Sequence, residues 1–375
     1  MNKINKSELA YWIALAHIEG IPTTTKMEVV VSCFNNNKQL SDFFTAENKD
    51  KTKIYSLPEK YIDTINQSNK SITNSAFMAE NLLEQGYDII TVLDEFYPKN
   101  LKKNLKYNAP LILYTKGNKE LLKKPATAIV GSRKSGDKAI EFTDRIAKKE
   151  VAKGNVIVSG YAKGVDLQAL NSAVMANGES IIVLPQGITT FTSGYKQVYR
   201  QIINGQVLIL STFHPNAGWS TGLAMARNST IYALANNIFV AESDNKGGTW
   251  SGVLSGIDRQ RKNKEDISIF VRIEDGEQNA NRDLVLAGAK AVDGQGNLLK
   301  TENVIEDLND ITKKIRQILS NRELRPIEII KQLDINWKED KMKRFLDSLS
   351  SKGVIKRRKG KYNVYTIENN PPSLF

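Results

Sequence analysis

The sequence predicts an α/β protein built on a doubly wound, mostly parallel sheet, with a helical domain before it and a winged helix after it. Three observations carry that prediction. Short apolar runs recur at Ala128–Gly131, Val156–Ser159, Ser180–Leu184, Val207–Ser211, Ile238–Ala241 and Ile267–Val271. They lack polar alternation, as strands covered on both faces do. Helix-period stretches lie between them, at about 137–153, 165–177, 195–203, 223–235 and 249–261, and strand–helix alternation of this kind builds a parallel sheet. Polar, glycine-bearing turns follow several of the runs, where such sheets bind their ligands.

The elements follow in order. Residues 1–86 read as a helical domain: Ser7 offers an N-cap and Gly20-Ile21-Pro22 a stop, and the stretches after it keep a helical apolar period. Helical hairpins that grip a DNA backbone usually turn on two glycines; here Ile21 and Pro22 follow Gly20, so this domain reads as structural. Residues 87–303 form the central domain. It opens with two strand-like segments, YDIITVLD and PLILYTKG, with a Tyr97-Pro98 join between them. The helix after the first buried run shows Ile140, Thr143, Ala147 and Val151 as its apolar stripe. Lys148, Lys149 and Lys153 complement its dipole, and Gly154 ends it. Residues 308–370 read as three helices, with Pro326 at the first position of the second, and a hairpin around Gly360. That is the order of a winged helix-turn-helix.

At 375 residues, two or three domains are expected. The net charge of +12 suggests a polyanionic partner; a Lys-, Asn- and Ile-rich composition is the competing source. Cys33 is the single cysteine, which fits a reducing compartment, and His17 and His214 are too few for a zinc cluster. The apolar run Leu9–Ile18 is too short to span a bilayer, and no small-residue cleavage site follows. The expectation is a cytoplasmic, non-membrane protein without metal or cofactor.

Three turns carry the chemistry. In the first, Gly131 permits close backbone approach, Ser132 adds a hydroxyl and Arg133 a phosphate fork, ahead of a helix whose free amides favour anions. It matches neither the P-loop nor G-x-G-x-x-G. The second holds Ser159, Gly160, Lys163 and Gly164, then Asp166, a ribose or base ligand or a helix cap. The third holds Lys246, Gly247, Gly248 and Thr249, near Arg227 and Asn228. Tyr161 and Trp250 are candidate stacking aromatics. No nucleophile elbow or histidine dyad is present, and Glu242 is a lone carboxylate, so no catalytic residue is assigned. In the wing, Lys356, Arg357, Arg358, Lys359 and Lys361, with Lys341, Lys343 and Arg344 on the preceding helix, make a basic face for duplex DNA or for protein.

These residues resemble the DprA/Smf (DNA-processing protein A) family. The resemblance rests on Tyr97-Pro98, on Pro110 to Gly117, and on Ala128 to Arg133. The segment VSGYAKGVDLQA and the segment from Arg227-Asn228 into the next strand carry it further. It runs from about residue 1 to 370 and is most specific in the central motifs. It implies an extended Rossmann-like domain and a non-enzymatic homodimer. It further implies binding of single-stranded DNA along the rim and its transfer to a RecA-type recombinase, as in natural transformation. The phosphate role would fall on Gly131, Ser132 and Arg133. Ser159, Gly160, Lys163, Gly164, Arg227, Asn228 and Lys246 would support it. The chain departs from the pattern at Leu170, Thr212 and Ser229, and in Gly247-Gly248-Thr249-Trp250, which opens a role in defence against foreign DNA. Two other classes share the rim: a small-nucleotide sensor, and a nucleoside-monophosphate hydrolase. The hydrolase turn, Pro-Gly-Gly-x-Gly-Thr, is only echoed here.

Overall fold

The computed structural model describes residues 6–263, 267–299 (except 275, 276 and 278), 311–351 (except 321, 336 and 338), 354–358 and 363–366. Six helices open the chain: α1 (Lys6–His17), α2 (Thr23–Asn35), α3 (Leu40–Thr45), α4 (Asn48–Lys53), α5 (Ile62–Ser68) and α6 (Ile72–Glu84). Pro22 and Gly20, with φ +77°, separate α1 from α2 where the sequence places a stop. Lys26 of α2 is buried and donates to the carbonyls of Ala16 and Ile18, at 2.9 and 2.6 Å, satisfying the end of α1. Trp12, Ile13, Leu15, Val30 and Phe43 join an apolar core continuous with that under the sheet. His17 seals this junction: its Nε2 lies 2.8 Å from the Tyr114 hydroxyl, and its ring meets His214 edge-on at 5.1 Å.

The sheet contains nine strands: β1 (Asp88–Thr91), β2 (Ile112–Gly117), β3 (Ala126–Val130), β4 (Val156–Ser159), β5 (Ser180–Val183), β6 (Val207–Ser211), β7 (Asn237–Val240), β8 (Ser268–Arg272) and β9 (Lys290–Val292). Their spatial order is β1-β2-β6-β5-β4-β3-β7-β8-β9. The pairs β1–β2 and β2–β6 are antiparallel and the rest parallel. Connecting helices are α7 (Lys99–Leu105), α8 (Asp137–Ala152), α9 (Val165–Met175), α10 (Thr192–Ile203), α11 (Thr221–Leu234), α12 (Gly248–Asn263) and α13 (Asn281–Ala287). Strand side chains alternate between two layers: Ile129, Ile157 and Phe239 pack with α8 and α9, whereas Val130, Val158 and Val240 share a core with α11 and α12.

The six apolar runs are strands, as the sequence predicts. Three elements were not expected. The short α7 lies in the Tyr-Pro join behind Pro98, and α13 and the three-residue β9 are too short to show a period. The stripe of α8 is also corrected. Its buried face is Ala139, Phe142, Thr143, Ile146, Ala147 and Glu150, while Ile140 and Val151 are half-buried. The bulkier Phe142 and Ile146 set the face. Glu150 joins it because Thr127 Oγ1 and Asn155 Nδ2 each donate to its carboxylate at 2.8 Å.

The chain then forms α14 (311–319), α15 (Pro326–Leu333), α16 (Glu339–Ser351) and the antiparallel pair β10 (Lys356–Arg358) and β11 (Val364–Thr366). Ile315, Leu319, Ile329, Met342, Leu346 and Tyr365 make a separate core, and three helices precede a hairpin in the predicted order.

Candidate nucleic-acid interface

The helices after β3, β4 and β5 lead the chain in one direction across the sheet, and α11 returns it past β3 to β7. The adjacent strands β3 and β7 therefore mark the topological switch point, where open α/β sheets form their crevice. The first and third turns leave those two strands.

Close backbone contacts weld the turns together. Ser132 N donates to the Glu242 carbonyl at 2.9 Å. Thr249 Oγ1 donates to the Gly131 carbonyl at 3.0 Å, and Asn228 Nδ2 to the Gly248 carbonyl at 3.1 Å. A Cβ on Gly131 would press on Val165 at the start of α9. Gly164, at φ +80° and ψ −128°, is a conformation open only to glycine. A Cβ there would stand 2.7 Å from the Ser132 carbonyl oxygen. The glycines thus permit three turns to pack edge to edge.

Beneath them lies a buried charge. Arg227 of α11 is 4% exposed and Asp166 of α9 is 8% exposed. Their Nη1 and Oδ2 are 3.6 Å apart. Gly160 must be glycine, because a Cβ would land on this guanidinium. Burial is the largest influence on both groups: it pushes the Asp166 carboxyl up and the Arg227 guanidinium down, and their mutual attraction opposes both. Nε and Nη1 of Arg227 have no acceptor among the described residues, an expensive arrangement for a buried cation.

Two clefts open over this floor. One, of about 460 Å³, is lined by Ser132, Arg133, Asp166, Arg227, Asn228 and Lys246, among others. The second, of about 510 Å³, is lined by Arg133, Tyr161, Lys163, Phe191, Trp219 and Arg227, among others. They share Arg133, Lys134, Ala162 and Arg227, so together they form one groove. Arg133, Lys134, Lys163 and Lys246 are exposed along it. Tyr161 holds an uncommon φ of +60°, with its hydroxyl donating to Gln197 Oε1 at 2.5 Å and its ring edge-on to Phe191 at 5.2 Å. Trp219 is 54% exposed.

The fourteen predicted rim residues gather here, but in two layers. Ser159, Asp166 and Arg227 are buried, and Asn228 and Thr249 hold turns together, whereas Arg133, Lys163 and Lys246 face solvent. The start of α8 differs from the expected free amides: Gly136 N donates to Glu242 Oε2 at 3.2 Å, and Asp137 sits in the first turn. Glu242 acts as an internal anion at this helix start, so the pull on a phosphate comes from the side-chain cations. Trp250 is half-buried against the core. Trp219 was missed; its signal was an aromatic in a Pro-, Asn- and Gly-bearing turn after a strand. At the departures from the family pattern, Leu170 is buried and Ser229 is exposed. Among the described residues, no three His, Cys, Asp or Glu side chains gather as metal ligands, and no helix is long and apolar enough to cross a membrane.

Two cations of the β10–β11 hairpin are paired. Arg357 pairs with Asp347 at 3.0 Å and Arg358 with Glu323 at 2.5 Å, and Lys343 and Lys356 are exposed. Lys359 and Lys361, and the side chains of Lys341 and Arg344, lie outside the described residues.

Comparison with known proteins gives a consistent result. The family model described as DNA recombination-mediator protein A matches residues 88–303. The chain is 33% identical to the DNA processing protein DprA of Streptococcus pneumoniae over 212 residues, covering 56% of this chain and 72% of that protein. It is 28% identical to the protein Smf of Synechocystis over 254 residues, covering 64% and 60%. The X-ray structure of the S. pneumoniae DprA superposes with a TM-score of 0.59 at 25% identity, covering 79% of this chain and 97% of that one.

Proposed function

This chain belongs to the DNA recombination-mediator protein A (DprA/Smf) family, and from that premise we propose that it binds single-stranded DNA along the groove over β3, β4 and β7. Arg133, Lys134, Lys163 and Lys246 take successive phosphates, and Trp219, Phe191 and Tyr161 take bases. The observation that carries this reading is the merging of two clefts at Arg133 and Arg227. A mononucleotide needs one pocket; a continuous cationic groove with aromatic side chains suits a flexible strand of any sequence. The buried Arg227, whose Nε and Nη1 make no hydrogen bond among the described residues, supports an anionic ligand at the point where the clefts meet.

The protein acts by binding and not by catalysis. Glu242, a carboxylate beside the first turn, is engaged in holding the start of α8. In the wider proposal the protein works as a homodimer in the cytoplasm and passes the coated strand to a RecA-type recombinase, in DNA uptake or in handling of foreign DNA. The three-helix and hairpin unit adds a weaker contact to duplex DNA through Lys343, Arg344, Lys356, Arg357, Arg358, Lys359 and Lys361. Binding of a labelled oligo-dT, competed with duplex DNA and with thymidine monophosphate, tests the reading. Oligo-dT should resist competition by both. Displacement by the mononucleotide at equal concentration would replace the strand binder with a nucleotide sensor.

A further inference from the structure

We propose a second nucleic-acid contact surface, formed by α7 and the segment 119–124 beside the amino-terminal ends of β3 and β7, at the end of the parallel strands opposite the rim. Between Asp94 and Ala126 the chain carries eight lysines against three acidic residues, which leaves +5 of its net +12. Asp88 and Glu179 reach in to pair with Lys119 and Lys124.

The surface is built. Leu101 and Asn104 face inward, and Asn104 Nδ2 donates to the Ala233 carbonyl at 3.0 Å. Asn100 Nδ2 donates to Asn236 Oδ1 at 2.9 Å. These amides fix α7 to the end of α11, and Lys99, Lys102, Lys103 and Lys106 are left exposed. Beside them lies a cleft of about 610 Å³, lined by Lys99, Asn100, Lys123, Lys124, Pro125 and Asn236, among others. Tyr107, in the turn after α7, is 47% exposed.

One helix joins the two surfaces. Arg227 and Asn228 of α11 line the first groove and Leu234 lines this cleft. The 14 residues of α11 measure about 20 Å at 1.5 Å per residue. A strand longer than the rim can therefore touch both. The chemistry favours nucleic-acid phosphate over a lipid surface: an interfacial helix exposes an apolar face, and here Leu101 is buried in the protein. This inference extends the proposed strand binding but is separable from it.

The test uses the full chain, the triple variant K99Q/K102Q/K103Q, and dT10 and dT60 oligonucleotides in a salt titration. The triple variant should keep its melting temperature and bind dT10 within about twofold of the parent. Its dT60 affinity should fall, and the slope of log K against log salt should become shallower by about 2, at about 0.7 per single-strand phosphate lost. Unchanged dT60 binding, or equal losses on both lengths, would overturn the proposal. So would lysine-dependent sedimentation with phosphatidylserine vesicles while dT60 binding stays intact. If the parent chain fails to bind dT10 and the variant still loses dT60, the rim reading fails and the second surface stands.

Discussion

Replacing Gly164 with alanine probes the junction that brings the first two turns together. Two costs follow from its position. The backbone, at φ +80° and ψ −128°, is strained for any residue with a side chain, by about 1–3 kcal/mol. The added Cβ would stand 2.7 Å from the Ser132 carbonyl oxygen and 3.0 Å from that of Arg133. Both neighbours are backbone, so relief requires the turns to move apart, at a further cost of about 1–3 kcal/mol. A loss of about 2–6 kcal/mol lowers the melting temperature of a domain this size by about 5–20 °C. Gly154→Ala is the control: its φ is +79° but nothing lies within 4 Å of the new Cβ, so only the backbone cost of about 1–2 kcal/mol applies. Thermal melts followed by circular dichroism compare the two, and oligo-dT binding should weaken only in Gly164→Ala. Equal melting shifts would refute the close approach of the turns.

Two further outcomes are expected. Burial, aided by His214 and Lys26, pulls the pKa of His17 down to about 3 from its ordinary 6.5. The unfolded chain thus takes up a proton that the folded chain refuses, and stability is lost as pH falls from 6.5 toward 3. The loss is about 2 kcal/mol at pH 5. Urea melts at pH 7, 6 and 5 should show this decline, and His17→Gln should flatten it; an unchanged decline in the variant would assign it elsewhere. Trp219→Ala should weaken oligo-dT binding by about 1–3 kcal/mol, the worth of one stacked base, while leaving the melting temperature within about 2 °C; full affinity in the variant would remove Trp219 from the interface.

Much of the central domain was legible because a parallel strand buried on both faces writes its length directly as an apolar run. Val156–Ser159 and Val207–Ser211 have the same bounds in the sequence reading and in the structure. The rim was legible for a related reason: its glycines answer to local backbone demands, as at Gly164. What escaped was long-range. Nothing local says that Arg227 lies under Gly160, or that the Glu242 carboxylate caps a helix far earlier in the chain. The β10–β11 hairpin shows the same limit. Its run of cations is plain in sequence, but Asp347 and Glu323, which answer Arg357 and Arg358, come from other elements.

The central claim is that Arg133 meets a strand phosphate where the two clefts join. Its most direct test is the salt dependence of oligo-dT affinity, measured for the parent chain and for Arg133→Ala. The account predicts weaker binding for every base composition and a log–log slope shallower by about 0.7. Identical slopes in the two proteins would contradict it.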